Sequence, residues 1–257
     1  MLAALVEGAR EDQAAREASL PLRDLVAMAH DAPPVKPHNS LRRPGLGLGV
    51  IAEVKRASPS RGPLAEIPDP VSLAREYEAG GAAAISVLTE GRRFKGSLAD
   101  LTAVSQAVSI PVLRKDFLTT EYHIVEARAF GADLVLLILA CLSDEEARFL
   151  HDVATSWGMG VLVEAHSAEE VDRAVALGAS LIGINARDLT SFELDRGLFG
   201  TLAPRIPAGV VKVAESAIAS VDDVRAYRRA GADLVLVGEA LVTGGSPREM
   251  VKEFSSV

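Results

Sequence analysis

Four segments of this chain repeat one plan. GGAAAISVLTE from Gly80, GADLVLLILA from Gly131, GASLIGINA from Gly178 and GADLVLVGEA from Gly231 each place Gly-Ala ahead of an apolar run of strand length. Glycine suits the left-handed position after a helix C-terminus, so each segment reads as a helix end followed by a buried strand. The plan recurs about every 50 residues, too long for one βα unit of ~25 to 30 and right for two. Further strands are therefore expected midway, and apolar runs lie there: GVIAEVK at Gly49, IPVLRKD at Ile110, MGVLVEAH at Met159 and VVKVAES at Val210. Between the strands run amphipathic stretches such as PVSLAREYEAG and SAEEVDRAVALG, most with acids early and a closing glycine. Eight alternating units predict an α/β fold, a single closed (β/α)8 TIM barrel. An open doubly wound sheet is the competing architecture, and it leaves the fourfold repeat unexplained.

Composition agrees with parallel packing. The 257 residues are 49% hydrophobic and only 4% aromatic, so Ala, Val, Leu and Ile must build the interior. Residues 1–48 are expected to form an N-terminal helical extension ending in the Pro-rich connector DAPPVKPHNSLRRPG, and residues 49–257 the barrel. By sequence the extension fits a solvated cap or a dimer contact equally well. GLGLG at Gly45 precedes a strand instead of following one, which argues against a dinucleotide loop.

Side chains alternate along a strand, so Glu53 and Lys55 of VIAEVKRASPSRG point to one side, at the end where barrel active sites lie. Other strands deliver polar residues to the same mouth: Lys115 from LRKDF, Glu164 from LVEAH, Asn185 from GINARD and Glu215 from KVAES. A single charged strand end is readily a solvated terminus. Six such residues converging from five strands predict a mixed-charge pocket for acid-base chemistry.

Net charge −8 argues against a nucleic-acid binder, which needs clustered cations with little opposing charge. The lone Cys141 excludes an intrachain disulfide, fits a reducing cytoplasm and reads as a small buried hydrophobe. No uninterrupted apolar block marks a signal peptide, and no run reaches membrane-spanning length without a charge, so a soluble, cytoplasmic protein is expected. Among five scattered histidines only Glu164-x-His166 brings two metal-ligand types close. That is too few for a metal site, and His166 is expected to open the loop before the next helix.

In combination, VIAEVKRASPSRG, SVLTEGRRFKGSLADL, PVLRKDF, GINARDL, VAESAI and LVGEALV, running in order from about residue 20 to 250, resemble the indole-3-glycerol-phosphate synthase family. The resemblance implies closure of 1-(2-carboxyphenylamino)-1-deoxyribulose 5-phosphate to indole-3-glycerol phosphate with loss of CO2 and water, in tryptophan biosynthesis. It implies no cofactor and no metal. The partner is then a small phosphorylated substrate, with the protein a monomer or weak homodimer, and the N-terminal helices are expected to cover the mouth.

On that footing Lys115 resembles the general acid that protonates the ketone oxygen. Glu164 and Glu53 are placed for the proton transfers of dehydration, and Glu215 for orienting lysines or binding the polyol. Lys55 assists in dehydration or pairs with the anthranilate carboxylate, and Asn185 suits the substrate hydroxyls. Phosphate is expected at the loops after strands seven and eight, held by Ser216, Ala217, Gly238 and Glu239, with Ser58 reaching in from loop one. Ser58 also reads as a turn serine before Pro59. Ala217 stands where the family pattern usually has glycine, which puts the loop geometry in question. Glu239 stands where some members have a hydroxyl residue and would repel phosphate unless only its N–H faces the ligand. Leu88, Phe94 and Phe117 are candidates for holding the ring, with Phe94 alternatively a packing anchor. Arg187 serves the phosphate side or forms a structural pair with Asp188 or Glu215. Loop one, RASPSRGPLAEIPDP, contains Gly62 and four prolines and is expected to be a partly mobile lid.

Two other readings stay open on the residues alone. One is an isomerase on a similar barrel, such as phosphoribosylanthranilate isomerase, which would want a Cys–Asp acid-base pair. The other is a non-catalytic barrel that binds a sugar phosphate without turning it over.

Overall fold

The computed structural model describes residues 1–41, 47–189 and 191–257. Gly45 and Leu46 of GLGLG and the last part of the connector lie outside the described residues.

Eight parallel strands close a barrel: β1 (Gly49–Val54), β2 (Ala84–Leu88), β3 (Val112–Lys115), β4 (Leu134–Ile138), β5 (Gly160–Ala165), β6 (Leu181–Asn185), β7 (Val211–Glu215) and β8 (Leu234–Val237). Each pairs with its sequence neighbour, and β8 returns to β1 with Gly49 opposite Leu234. That last pairing rules out the open sheet.

The outer layer comprises α3 (Pro70–Ala79), α4 (Leu98–Ala107), α5 (Glu121–Ala129), α6 (Asp144–Ser156), α7 (Ala168–Leu177), α8 (Leu198–Leu202), α9 (Val221–Arg229), α10 (Glu239–Thr243) and α11 (Pro247–Ser255). Their starts are written in the sequence: Asp69, Ser97, Thr120, Ser143, Ser167 and Ser220 each accept a hydrogen bond from a backbone N–H of the first turn. The repeated glycine falls where expected, with Gly131, Gly178 and Gly231 at φ 90°, 84° and 94°. In the first repeat the second glycine takes that role, Gly81 at φ 91°.

One apolar cluster lies between strands and helices, and a second fills the barrel with Ile51, Leu113, Leu136, Leu162, Val213 and Leu236. The helix α1 (Leu2–Ser19) adds Leu5, Val6 and Ala9 to this interior cluster, so it lies across the mouth. The next helix, α2 (Leu22–Asp31), seats Leu25 and Ala29 on Tyr122 and Val125 of α5. The connector then runs to the barrel base. Lys36 pairs with Asp133 at 3.3 Å just before β4, and the His38 ring packs so close to Gly160, first residue of β5, that a Cβ there would stand 3.1 Å from it. Leu41 joins the interior cluster. The extension is therefore a strap from mouth to base packed on the barrel.

Candidate active site

The strand-end residues converge as the alternation predicts. On β1, buried Glu53 faces the mouth and is 2.9 Å from the Lys55 ammonium. From β3 the Lys115 ammonium stands 3.6 Å from Glu53 and 2.8 Å from Glu215 of β7. The Ser86 hydroxyl on β2 donates to Glu53 at 3.4 Å. A second chain of contacts starts at Ser216, which donates to Asn185 Oδ1 at 2.7 Å. Asn185 Nδ2 donates to Glu164 Oε1 at 3.2 Å, and His166 Nε2 is also 3.2 Å from that oxygen. That ring nitrogen lies off the direction of a hydrogen bond, so its attraction to Glu164 is chiefly ionic.

The two chains meet between Glu164 and Glu215, whose oxygens Oε2 and Oε1 are buried with no donor among the described residues. Gly183, between them on β6, makes this possible: a Cβ there would stand 2.2 Å from Glu215 Oε1. The glycine is needed for clearance.

Burial and charge set the protonation states. Burial pushes the Glu53 carboxyl up, but the Lys55 and Lys115 charges outweigh it and hold Glu53 below its ordinary value. Glu164 is likewise pushed up by burial, yet the contact and charge of His166, then Lys115 and Asn185, bring it down to about 2. Burial pushes Glu215 up to about 8, with Lys115 opposing and Glu164 adding to the rise. For Lys115 burial favours the neutral amine, and Glu215, Glu53 and Glu164 outweigh it to raise its pKa. With Glu53 and Glu164 ionised, Lys115 stays cationic even when Glu215 holds a proton. The cluster thus offers at neutral pH the ammonium groups of Lys115 and Lys55, the carboxylate bases Glu53 and Glu164, and Glu215 as a protonated carboxyl.

Two adjoining cavities open on the cluster, both bordered by Glu53, Lys55, Lys115, Arg187, Ser216 and Glu239. The larger, about 290 Å³, reaches the loops after β7 and β8 with Ala217 and Gly238 in its wall. The smaller, about 110 Å³, has the apolar wall of Leu88, Phe94 and Phe117, and Glu164 and Asn185 open on it. The Phe94 and Phe117 rings are 6.3 Å apart. Ser58 borders only the smaller cavity, its hydroxyl 3.5 Å from that of Ser60.

The doubtful positions resolve locally. Ser216 and Ala217 both take positive φ, 68° and 58°. Their loop is pinned by the Ser216 hydroxyl on Asn185, by Tyr227 donating to the Ser216 carbonyl at 3.3 Å, and by Arg196 donating to the Ala217 carbonyl at 3.1 Å. Such bonds hold an alanine in a conformation that costs roughly 1–2 kcal/mol. The charge of Glu239 is met by Arg61 at 2.9 Å. Gly238 serves the cluster too, since a Cβ there would stand 2.5 Å from Glu53 Oε1. Arg187 donates to the Phe192 carbonyl at 3.2 Å. Cys141 is half-buried where full burial was expected. Its thiol donates to the Ile138 carbonyl, and burial pushes it up to about 12, which leaves it unsuited to acid-base work.

Several mouth residues escaped the sequence reading: Leu5, Arg61, Leu189, Phe192 and Arg196 on the cavities, and Ser86 behind Glu53. Phe192, an aromatic in the polar loop DLTSFELD, gave the best available signal. Among the described residues there is no group of three or more His, Cys, Asp or Glu side chains able to hold a metal.

Comparison with known proteins bears on the chemistry. Residues 2–254 match the family described as Indole-3-glycerol phosphate synthase. The chain is similar to a protein of that name from Leifsonia xyli subsp. xyli, 58% identical over 257 residues covering 100% of this chain and 98% of the relative. Another, from Mycobacteroides abscessus, is 56% identical over 254 residues, covering 98% and 93%. Among solved structures, 3-hexulose-6-phosphate synthase from Salmonella typhimurium has a TM-score of 0.65 at 15% identity over 81% of this chain and 97% of that one. Thiamine phosphate pyrophosphorylase from Pyrococcus furiosus has a TM-score of 0.63 at 17% identity over 85% and 96%. These two likenesses show the barrel fold alone.

Proposed function

The chain belongs to the indole-3-glycerol phosphate synthase family, and we propose that the lysine–carboxylate cluster at its barrel mouth carries that family's reaction. The reaction closes 1-(2-carboxyphenylamino)-1-deoxyribulose 5-phosphate to indole-3-glycerol phosphate with loss of CO2 and water, a step of tryptophan biosynthesis. The observation that supports the assignment best is Lys115 itself, held between Glu53 at 3.6 Å and Glu215 at 2.8 Å where the two cavities join.

The phosphate enters the larger cavity, against Ser216, Ala217 and Gly238 and near Arg61, Arg187 and Arg196. Pairing with Arg61 keeps the Glu239 carboxylate from repelling it. The anthranilate ring lies on Leu88, Phe94 and Phe117, with its carboxylate toward Lys55. Ser58 closes over from loop one. The reacting ketone then faces Lys115, which gives its proton to the oxygen as the ring carbon attacks and forms the carbon–carbon bond. Loss of CO2 returns the electron pair to the ring system. In the dehydration that follows, ionised Glu164 removes a proton and an acid of the cluster protonates the departing hydroxyl. Asn185 hydrogen-bonds the polyol, and Glu53 and Glu215 hold the lysines. Each step uses side chains of this chain.

The division into an extension, residues 1–48, and a barrel, residues 49–257, is topological, because Leu5 of the extension borders the cavity at the mouth. Every proposed site residue comes from one chain, so a monomer suffices and a weak homodimer would leave the site intact. Among the described residues no helix is long and apolar enough to cross a membrane, and we assign the activity to the cytoplasm.

The test is fluorescence detection of indoleglycerol phosphate from the carboxyphenylamino substrate by the purified chain. Substrate binding without product would overturn the catalytic reading in favour of a binding barrel. An isomerase reading has little support, since the Cys141 thiol donates to the Ile138 carbonyl and the nearby Glu164 charge, with burial, pushes it up instead of activating it.

A further inference from the structure

His166 touches the cluster and has no task in the route above. It lies between β5 and Ser167, the residue that caps α7. Its ring is gripped from two sides. Nε2 is 3.2 Å from Glu164 Oε1 and Nδ1 is 3.3 Å from Glu170 Oε2. Glu170 is itself fixed in the first turn of α7, where it accepts the His166 backbone N–H at 2.7 Å and its own N–H donates to the Ser167 hydroxyl at 3.2 Å. The helix start thus builds a carboxylate–imidazole–carboxylate line that ends on the proposed base of dehydration.

We propose that His166 is a positioning residue for Glu164: its ring, clamped by Glu170, sets a positive charge 3.2 Å from Glu164 Oε1 and so favours the carboxylate form of that group beside Glu215. The need for such a group follows from the geometry. Glu164 and Glu215 stand on the strands either side of Gly183 with buried oxygens that lack a donor among the described residues, and the Glu164 charge raises Glu215, so the two carboxyl groups compete for one proton. Asn185 and Lys115 favour the charged form of Glu164, and among the described residues His166 is the cation nearest to it that adds to them. The surrounding charges are Glu164 of β5 and Glu170 of α7 at the ring, with Lys115 of β3 and Glu215 of β7 acting on Glu164 from across the barrel. The nearby Cys141 thiol, pushed up to about 12, stays neutral. Burial disfavours the imidazolium, but its contacts with Glu164 and Glu170 outweigh burial and raise it to about 10, so it is cationic throughout the working pH range. Glu164 accepts a proton in dehydration and becomes neutral, while His166 keeps its own.

The inference rests on Glu164 being the base, and the test separates the two ideas. In His166→Gln and His166→Phe the acid limb of kcat against pH should move up by about one unit or more, because a carboxylate without its cationic neighbour protonates sooner. KM should stay within about twofold, since among the described residues His166 is not one that borders either cavity. His166→Lys, which restores the cation, should move the limb back down. Titration of 13C-carboxyl-glutamate protein by NMR, with Glu164→Gln assigning the resonance, reads the same ionisation without turnover. An NMR shift with a kinetic shift supports the proposal, and an NMR shift alone supports the coupling while overturning Glu164 as base. An unmoved Glu164 titration in His166→Gln overturns the proposal, including the case where kcat falls together with the melting temperature. Should His166→Phe fail to fold, His166→Gln alone decides.

Discussion

Lys115 can hold a proton for a ketone only because its neighbours deny it any other state. A lysine buried among apolar side chains loses its charge, whereas this one faces the ionised Glu53 at 3.6 Å, with the Glu164 charge adding to it, and keeps its own. Lys115→Met retains the stem and deletes the charge. The variant should fold, bind product and lose at least about a hundredfold in kcat, in the range for groups that transfer a proton. Thermal melting checks the fold, and single-turnover assays isolate chemistry from product release. A near-normal single-turnover rate would move the acid role to Lys55. Residues of this kind were legible in the sequence, because a charge two places from another on an apolar strand shares its face. Gly183 was not legible. Its value lies in the side chain of Glu215 crossing from the next strand, a contact set by barrel register that no local pattern records.

Among the elements, the loop after β1 has a firm root and a light latch. Arg56 is fastened to Asp100 at 2.5 Å and to the Ile67 carbonyl at 3.2 Å, and Ala57–Ser58 pair antiparallel with Gly62–Pro63. The tip carries Arg61, whose pair with Glu239 is partly solvated and contributes about 0–1 kcal/mol. We propose that a tip held that weakly opens as a lid over the mouth. Hydrogen exchange between residues 58 and 63 should slow when product binds, while residues 56 and 57 change less. Ser58→Ala should raise KM more than it lowers kcat, since an anchor remote from the reacting atoms binds ground and transition states alike. No added protection at saturation would remove the lid idea, and a loss confined to kcat would remove the anchor role. The strand and helix order was readable because eight units repeat two chemical signals, a capping residue and a closing glycine. The path of the extension was not readable. Its apolar residues Leu5, Val6 and Ala9 form a short stripe that fits a surface helix equally well, and only the packed barrel shows that they cover the mouth.

For the molecule as a whole, the buried charges make stability depend on pH in a stated direction. His166 has an ordinary value of 6.5 and about 10 in the fold, and Glu215 has 4.5 and about 8. Both hold in the folded state a proton that the unfolded chain releases. Their contribution is complete below the unfolded value and is lost as pH climbs through the folded one. Glu164 works oppositely: with 4.5 unfolded and about 2 folded, it stabilises above 4.5, and that contribution is lost as pH falls toward 2. Together these place the maximum of the cluster's contribution near pH 4.5, with a decline that begins with Glu215, steepens above 6.5 where His166 joins it, and runs up to pH 10. The melting temperature of the intact chain should therefore fall as pH rises from about 4.5 to 10. Calorimetry of two variants separates the sources. Glu215→Gln, which cannot release a proton, should flatten the part of the decline between about pH 4.5 and 8, and His166→Gln the part between about 6.5 and 10. A native melting temperature that stays level or rises across this window would mean that the cluster does not hold these protons in the fold. The division of labour between Glu164 and Glu215 would then need another source than the charges around them.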